Sequence, residues 1–166
     1  MIFLERLGAL VNRALAWIAG IALVAMMLFA VADMVLRALG RPVAGSYEVI
    51  GWLSASAMAL ALGYTQLHRG HVSITLLKDH LGARTQATID LLMSLLALLL
   101  FGTVAWYVAR YARTLQTTGS LSETLKAIVY PWVYVVAAGS AGLALALLID
   151  VLRSAGRFLA VKRGRG

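Results

Sequence analysis

Apolar residues along the chain gather into four long runs, at about residues 14–36, 49–66, 89–111 and 128–152, with short polar stretches between them. The second run is the most sharply bounded. It carries no charge over about 18 residues, near the lower limit for a helix crossing a bilayer core of roughly 30 Å. Its polar ends, Ser46-Tyr47-Glu48 and His68-Arg69, must then lie at opposite membrane surfaces. The third run is charge-free over residues 91–109 and ends in Trp106, Tyr107, Arg110, Tyr111 and Arg113, a collar suited to the membrane interface. Gly40-Arg41-Pro42 breaks the helix between the first two runs. Pro131 falls in the opening turns of the fourth, where its missing N–H costs little.

Two flanking stretches have a different pattern. In residues 1–16, Phe3, Leu7, Leu10, Val11 and Ala14 recur at helical spacing, while Glu5, Arg6, Asn12 and Arg13 lie largely opposite. This predicts an amphipathic helix in the headgroup plane, with Arg6 and Arg13 toward anionic lipid, in preference to an extension of the first span. Val72, Leu76, Leu77 and Leu81 predict a second such helix, stopped by Gly82. Ser120 and Glu123 have capping-box spacing, which predicts a short helix after the third span. The fold class is therefore an all-α integral membrane protein. A single domain over residues 1–166 holds four transmembrane helices, with amphipathic interfacial helices at the N-terminus and between spans two and three.

Composition agrees. Of 166 residues 61% are hydrophobic and 13% charged, and the mean hydropathy is +0.85, too apolar for a soluble domain of this length. The run ending Ala30-Val31-Ala32 has the outline of a signal peptide, but about 19 apolar residues fit a span better. There are no cysteines, so disulfides and thiolate metal sites are excluded. The net charge of +8 does not indicate nucleic acid, because no basic face with interleaved aromatics exists. The basic residues instead mark topology. Ten lie at the N-terminus, in the stretch between spans two and three, and in the tail; five lie on the other side. By the positive-inside rule both termini are cytoplasmic.

Candidate chemistry is sparse. Asp33 is the one charge inside the first span, and Arg37 at i+4 predicts a structural ion pair in place of a proton relay. Asp150 likewise has Arg153 at i+3. Glu48 opens the second span, where a carboxylate suits the positive end of the helix dipole. Gly51, Ala55, Ala59 and Gly63 put a small residue at every fourth position of that span, a stripe that admits another helix closely, from this chain or from a partner. Ala137, Ala138, Gly139, Ala141 and Gly142 give the fourth span a similar surface. His68, His71 and His80 lack the carboxylate or thiolate support of a metal site. There is no catalytic constellation and no phosphate loop, so the chain is not read as an enzyme. A pathway for a charged solute would show ionisable groups or broken helices near the midplane, and the polar groups there are mainly Ser54, Ser56, Ser94, Thr103 and Ser140.

The order Arg37, then Glu48 opening a span, then Arg69-Gly70-His71-Val72-Ser73-Ile74 after it, resembles the small membrane subunit of tripartite ATP-independent periplasmic (TRAP) transporters, the DctQ-like family. So does Pro131-Trp132, with Tyr134 shortly after. The family often has two acids where this chain has Tyr47-Glu48. The resemblance implies a bacterial inner-membrane scaffold bound to a large membrane subunit that holds the substrate and sodium sites. A periplasmic substrate-binding protein would deliver the substrate, usually an organic acid. Cofactors on this chain are expected to be none, and membrane lipid is a further partner. Arg37, Glu48, Arg69, Gly70, His71, Gly51, Ala55, Ala59, Gly63, Pro131 and Trp132 become candidate structural or partner-interface residues. Two rivals are a haem-binding anchor of a respiratory enzyme, which would need histidines inside the bundle, and a self-sufficient small carrier, which would need an embedded acid.

Overall fold

The computed structural model describes residues 2–68 and 82–163. Four helices follow one another: α1 (Ile2–Ala38), α2 (Ser46–Leu67), α3 (Ala83–Thr118) and α4 (Tyr130–Arg163). Among the described residues there is no strand beyond one isolated antiparallel bridge, Leu121 with Ile128. Arg69, Gly70 and His71, and the amphipathic helix expected from Val72 to Leu81, lie outside the described residues.

Segments Phe3–Ala38, Thr85–Thr118 and Tyr130–Gly156 are long and apolar enough to cross a membrane. At 1.5 Å per residue α1, α3 and α4 are each more than about 50 Å long, well beyond a hydrocarbon core of roughly 30 Å. α2, at 22 residues, is about 33 Å long. It falls outside that set of three because Ser54, Ser56, Tyr64, Thr65 and Gln66 dilute its apolar character. One face of it is covered by protein. Ser46, Ser56, Ala57, Ala59, Leu60 and Gly63 are all buried, and α2 packs against both α1 and α4.

α4 is the hub. It touches α3, α2 and α1, whereas α3 has α4 as its main neighbour. The α2–α4 crossing is very close: a Cβ at Gly139 would fall on the carbonyl of Ala59 and within 2.7 Å of the Leu60 nitrogen. A second crossing brings three helices together. Gly63 of α2 and Gly142 of α4 meet there, and the Asn12 side chain of α1 lies against both. Three glycines and an alanine are what allow backbones to approach this closely.

Three expectations change here. Residues 2–13 continue α1 without a break; no boundary falls near Ala14. The reason is packing on α4: Gly8 lies on Ile149, Asn12 on Gly142, and Glu5 pairs with Arg153 at 2.9 Å. Asn12, assigned by periodicity to the polar face, is completely buried, with its Nδ2 donating to the Gly8 carbonyl at 2.9 Å. The four-residue stripe on α2 also divides. Ala59 and Gly63 are buried, while Gly51 and Ala55 are exposed, since residues four apart drift about 40° around a helix.

The crossing makes a direct prediction. Gly139→Leu should destabilise the isolated chain by about 1–3 kcal/mol or more, the usual cost of overpacking. Gly51→Leu, with nothing within 4 Å of its Cβ position, should leave thermal unfolding in detergent unchanged. Equal melting shifts for the two variants would refute this account of the core.

Candidate functional site: the collar at the loop end

The α1–α2 and α3–α4 loops lie at the same end of the bundle, and half of the described candidate residues gather there. Asp33, in the last turns of α1, is 7% exposed. Its Oδ2 accepts from Arg37 Nη2 at 2.9 Å, the expected i,i+4 pair. Its Oδ1 accepts from the backbone N–H of Val43 at 3.1 Å. One carboxylate therefore closes the α1–α2 loop as well as neutralising Arg37. The guanidinium also lies over the Tyr47 ring, 5.6 Å from its centroid. Tyr47 thus meets the Arg37 cation with its π face.

Glu48 reaches across to the other loop. Its Oε1 accepts from Thr124 N–H at 2.8 Å and its Oε2 from Leu125 N–H at 3.1 Å. Those backbone bonds hold its carboxyl below the usual range for glutamate, against the opposing effect of desolvation. The loop is drawn in further by Gly45, in the left-handed conformation at φ 74°, whose missing Cβ leaves room for the Leu125 side chain. These contacts replace the short helix expected from Ser120 and Glu123. The Thr124 and Leu125 N–H groups, which such a helix would have bonded to its own carbonyls, are bound to Glu48, the Ser122 hydroxyl accepts from Ala127 N–H at 3.2 Å, and Gly119 ends α3.

Aromatic residues complete the collar. Trp132 stacks on Trp52 with centroids 5.7 Å apart and planes 18° apart, joining α4 to α2. Pro131 lies in the first turn of α4, as its sequence position requires. Tyr134 Oη donates to Gln116 Oε1 at 3.0 Å, tying α4 to α3. Arg37, Glu48, Pro131 and Trp132 are thus brought to one end. Ala59 and Gly63 serve the helix crossings, and Gly51 and Ala55 lie on an exposed face.

Sequence reasoning missed the opposite end. Arg153 pairs with Glu5 across 148 positions, and Asp150 instead accepts from Gln66 Nε2 at 2.8 Å, fixing α2 to α4. Distant partners of this kind leave no periodic signal. Among the described residues no group of three His, Cys, Asp or Glu side chains could hold a metal ion. The Asp33 carboxylate is engaged by Arg37 and Val43 N–H, and the Glu48 carboxylate by two N–H groups of the α3–α4 loop. The arrangement can hold two loops in register.

Acid should release the α3–α4 loop. Because folding lowers the Glu48 carboxyl, its stabilising contribution is complete above the unfolded value and is lost as pH falls through the folded one. Corrected amide exchange at Thr124 and Leu125 should stay slow to below the ordinary glutamate range and then accelerate. In Glu48→Gln it should be faster by about tenfold already at neutral pH. Exchange indifferent to both pH and substitution would remove Glu48 from this role.

Comparison with characterised proteins and with solved structures returns no match. A family model does match, over residues 26–157, and is described as tripartite ATP-independent periplasmic transporters, DctQ component. The matched region runs from within α1 to near the end of α4 and includes the entire collar. It covers well over half of the chain, which therefore belongs to the DctQ family of TRAP transporter components: a membrane-embedded transport subunit of a multi-subunit transporter, and not an enzyme.

Proposed function

We propose that this chain is the immobile scaffold of its transporter, bracing a large membrane subunit that carries the substrate and sodium sites. The observation that carries this reading is where the polar groups lie. Asp33, Arg37 and Glu48 cluster at one end, Glu5, Gln66, Asp150 and Arg153 toward the other, and they bond to one another. Between them, the apolar runs of residues 49–66 and 91–109 hold no charged side chain. A carboxylate solute crossing here would meet a desolvation barrier of several kcal/mol with no compensating cation. The outer faces of α1 and α3 are instead apolar and exposed, with Leu92, Met93, Leu96, Leu99 and Leu100 along α3.

On this reading α2 is a fourth crossing, sheltered by its neighbours, and the protein lies in a bacterial inner membrane with both termini cytoplasmic. That orientation rests on the ten-to-five distribution of basic residues. The collar then faces the periplasm, on the side where a substrate-binding protein delivers an organic acid. Arg69, Gly70 and His71 act in assembly at the cytoplasmic surface. The chain itself carries no cofactor, and the haem-anchor alternative has no observation in its favour.

Reconstituted alone into liposomes, the chain should give no sodium-driven uptake of organic acids, while it should copurify with a large membrane subunit from mild detergent. Uptake by the chain alone would overturn the scaffold role. Cysteine at Ser120 should react with an impermeant thiol reagent in intact cells and cysteine at Lys78 should not; the reverse pattern would invert the orientation.

A further inference from the structure

We infer that the cleft between α1 and α2 at the end opposite the collar binds the phosphate headgroup of an anionic phospholipid. The cleft has a volume of about 220 Å³ and is lined by Arg13, Ala16 and Trp17 of α1 and Tyr64 of α2. Arg13, Ala16 and Trp17 stand at i, i+3 and i+4, so they share one helix face. The small side chain of Ala16 leaves the floor open between the two larger ones. The opposite wall is steadied by His68, whose ring lies 4.1 Å from that of Tyr64 and whose Nδ1 is 3.0 Å from the Tyr64 carbonyl.

The chemistry of the cleft is that of a donor set awaiting acceptors. Among the described residues no carboxylate pairs with Arg13, and neither the Arg13 guanidinium nor the Tyr64 hydroxyl has a hydrogen-bond partner. The acids nearby in the fold are committed elsewhere, Glu5 to Arg153 and Asp150 to Gln66. A guanidinium fork, a phenol O–H and an indole N–H together match phosphate oxygens, which only accept.

Depth and shape favour a lipid over a free anion. Arg13 precedes Asp33 by 20 positions, about 30 Å along α1, which is the thickness of the hydrocarbon core. With the Asp33–Arg37 pair at one boundary, Arg13 lies at the other, at headgroup level. From Trp17 an exposed apolar lane continues down the same helix through Ile21, Val24 and Leu28, each more than half exposed. Those four stand at i, i+4, i+7 and i+11, one continuous face. A polar cleft opening onto an apolar lane has the shape of an amphiphile, with headgroup above and acyl chain below. Arg6, two turns farther out on the same face, adds a second cation above the cleft.

Native mass spectrometry of the full chain in mild detergent tests this, with phosphatidylglycerol and phosphatidylcholine of equal chain length as competing ligands. The chain should retain phosphatidylglycerol in preference, and Arg13→Gln should lower that preference about fivefold, the factor expected for one cation near an anionic headgroup. Arg13→Lys should keep most of it, and Tyr64→Phe should lower it less than Arg13→Gln. Arg13 is exposed, so the variants should melt as the parent does without lipid. An unchanged preference in Arg13→Gln would overturn the site. Displacement of the lipid by inorganic phosphate alone would make it a free-anion site and would also overturn the proposal. So would an equal loss from Arg6→Gln, which would indicate diffuse surface attraction and no built cleft.

Discussion

The architecture depends on how closely the backbone of α2 can approach that of α4. At Ala59 and Gly139 there is no room for one additional carbon, and at Gly63 and Gly142 the space left over is taken by Asn12 of α1. In a bilayer, burying apolar side chains against one another gains little over leaving them in lipid, so helix association relies on close packing and interhelical polar contact. Small residues at a few positions of α2 and α4 supply the first, and Asn12 is placed to supply the second. Its Oδ1 is buried without a conventional hydrogen-bond partner, lying against the glycine backbones of both neighbouring helices. Weak Cα–H donors are the groups available to it there.

This crossing accounts for the sheltered character of α2. A helix packed against two others can use serines and glycines as contact points, and α2 buries Ser46, Ser56 and Gly63 in this way. α3, with one principal neighbour, is apolar around most of its circumference. The two ends of the molecule then take up the polar residues the middle excludes. At one end Asp33 and Glu48 each bind backbone N–H groups of a loop, and at the other Glu5–Arg153 and Gln66–Asp150 tie the helices together. Carboxylates used in this way are structural pins, which fits the scaffold role proposed for this chain.

Much of this was legible in the sequence because it is local. The apolar runs gave the helices, Asp33 and Arg37 are one turn apart, and Pro131 marks the start of α4. What could not be read depends on pairing between distant segments. Glu48 looks like a dipole-favouring acid until the α3–α4 loop is beside it. Asn12 looks like a surface residue because its segment alternates as a surface helix would, and only the glycines of α2 and α4 reveal that its polar side is inside. The small-residue stripe on α2 divides for a geometric reason: a four-residue repeat drifts around a 3.6-residue helix, so its two ends face different surroundings. The Arg69-Gly70-His71 motif contributed to recognising the family, while its local structure lies outside the described residues.

The central claim is that this chain supports transport without providing any of the path. The most direct measurement is uptake by the assembled transporter when the mid-depth polar groups of this chain are removed together, as Ser54→Ala, Ser56→Ala, Ser94→Ala, Thr103→Val and Ser140→Ala. All are small, and Ser94, Thr103 and Ser140 bond only to carbonyls of their own helices. The account predicts uptake within about twofold of the parent once the amount of assembled complex is matched, in line with the small worth of single polar contacts inside membranes. Abolished uptake with assembly intact would place these residues on the route of the solute and contradict the account.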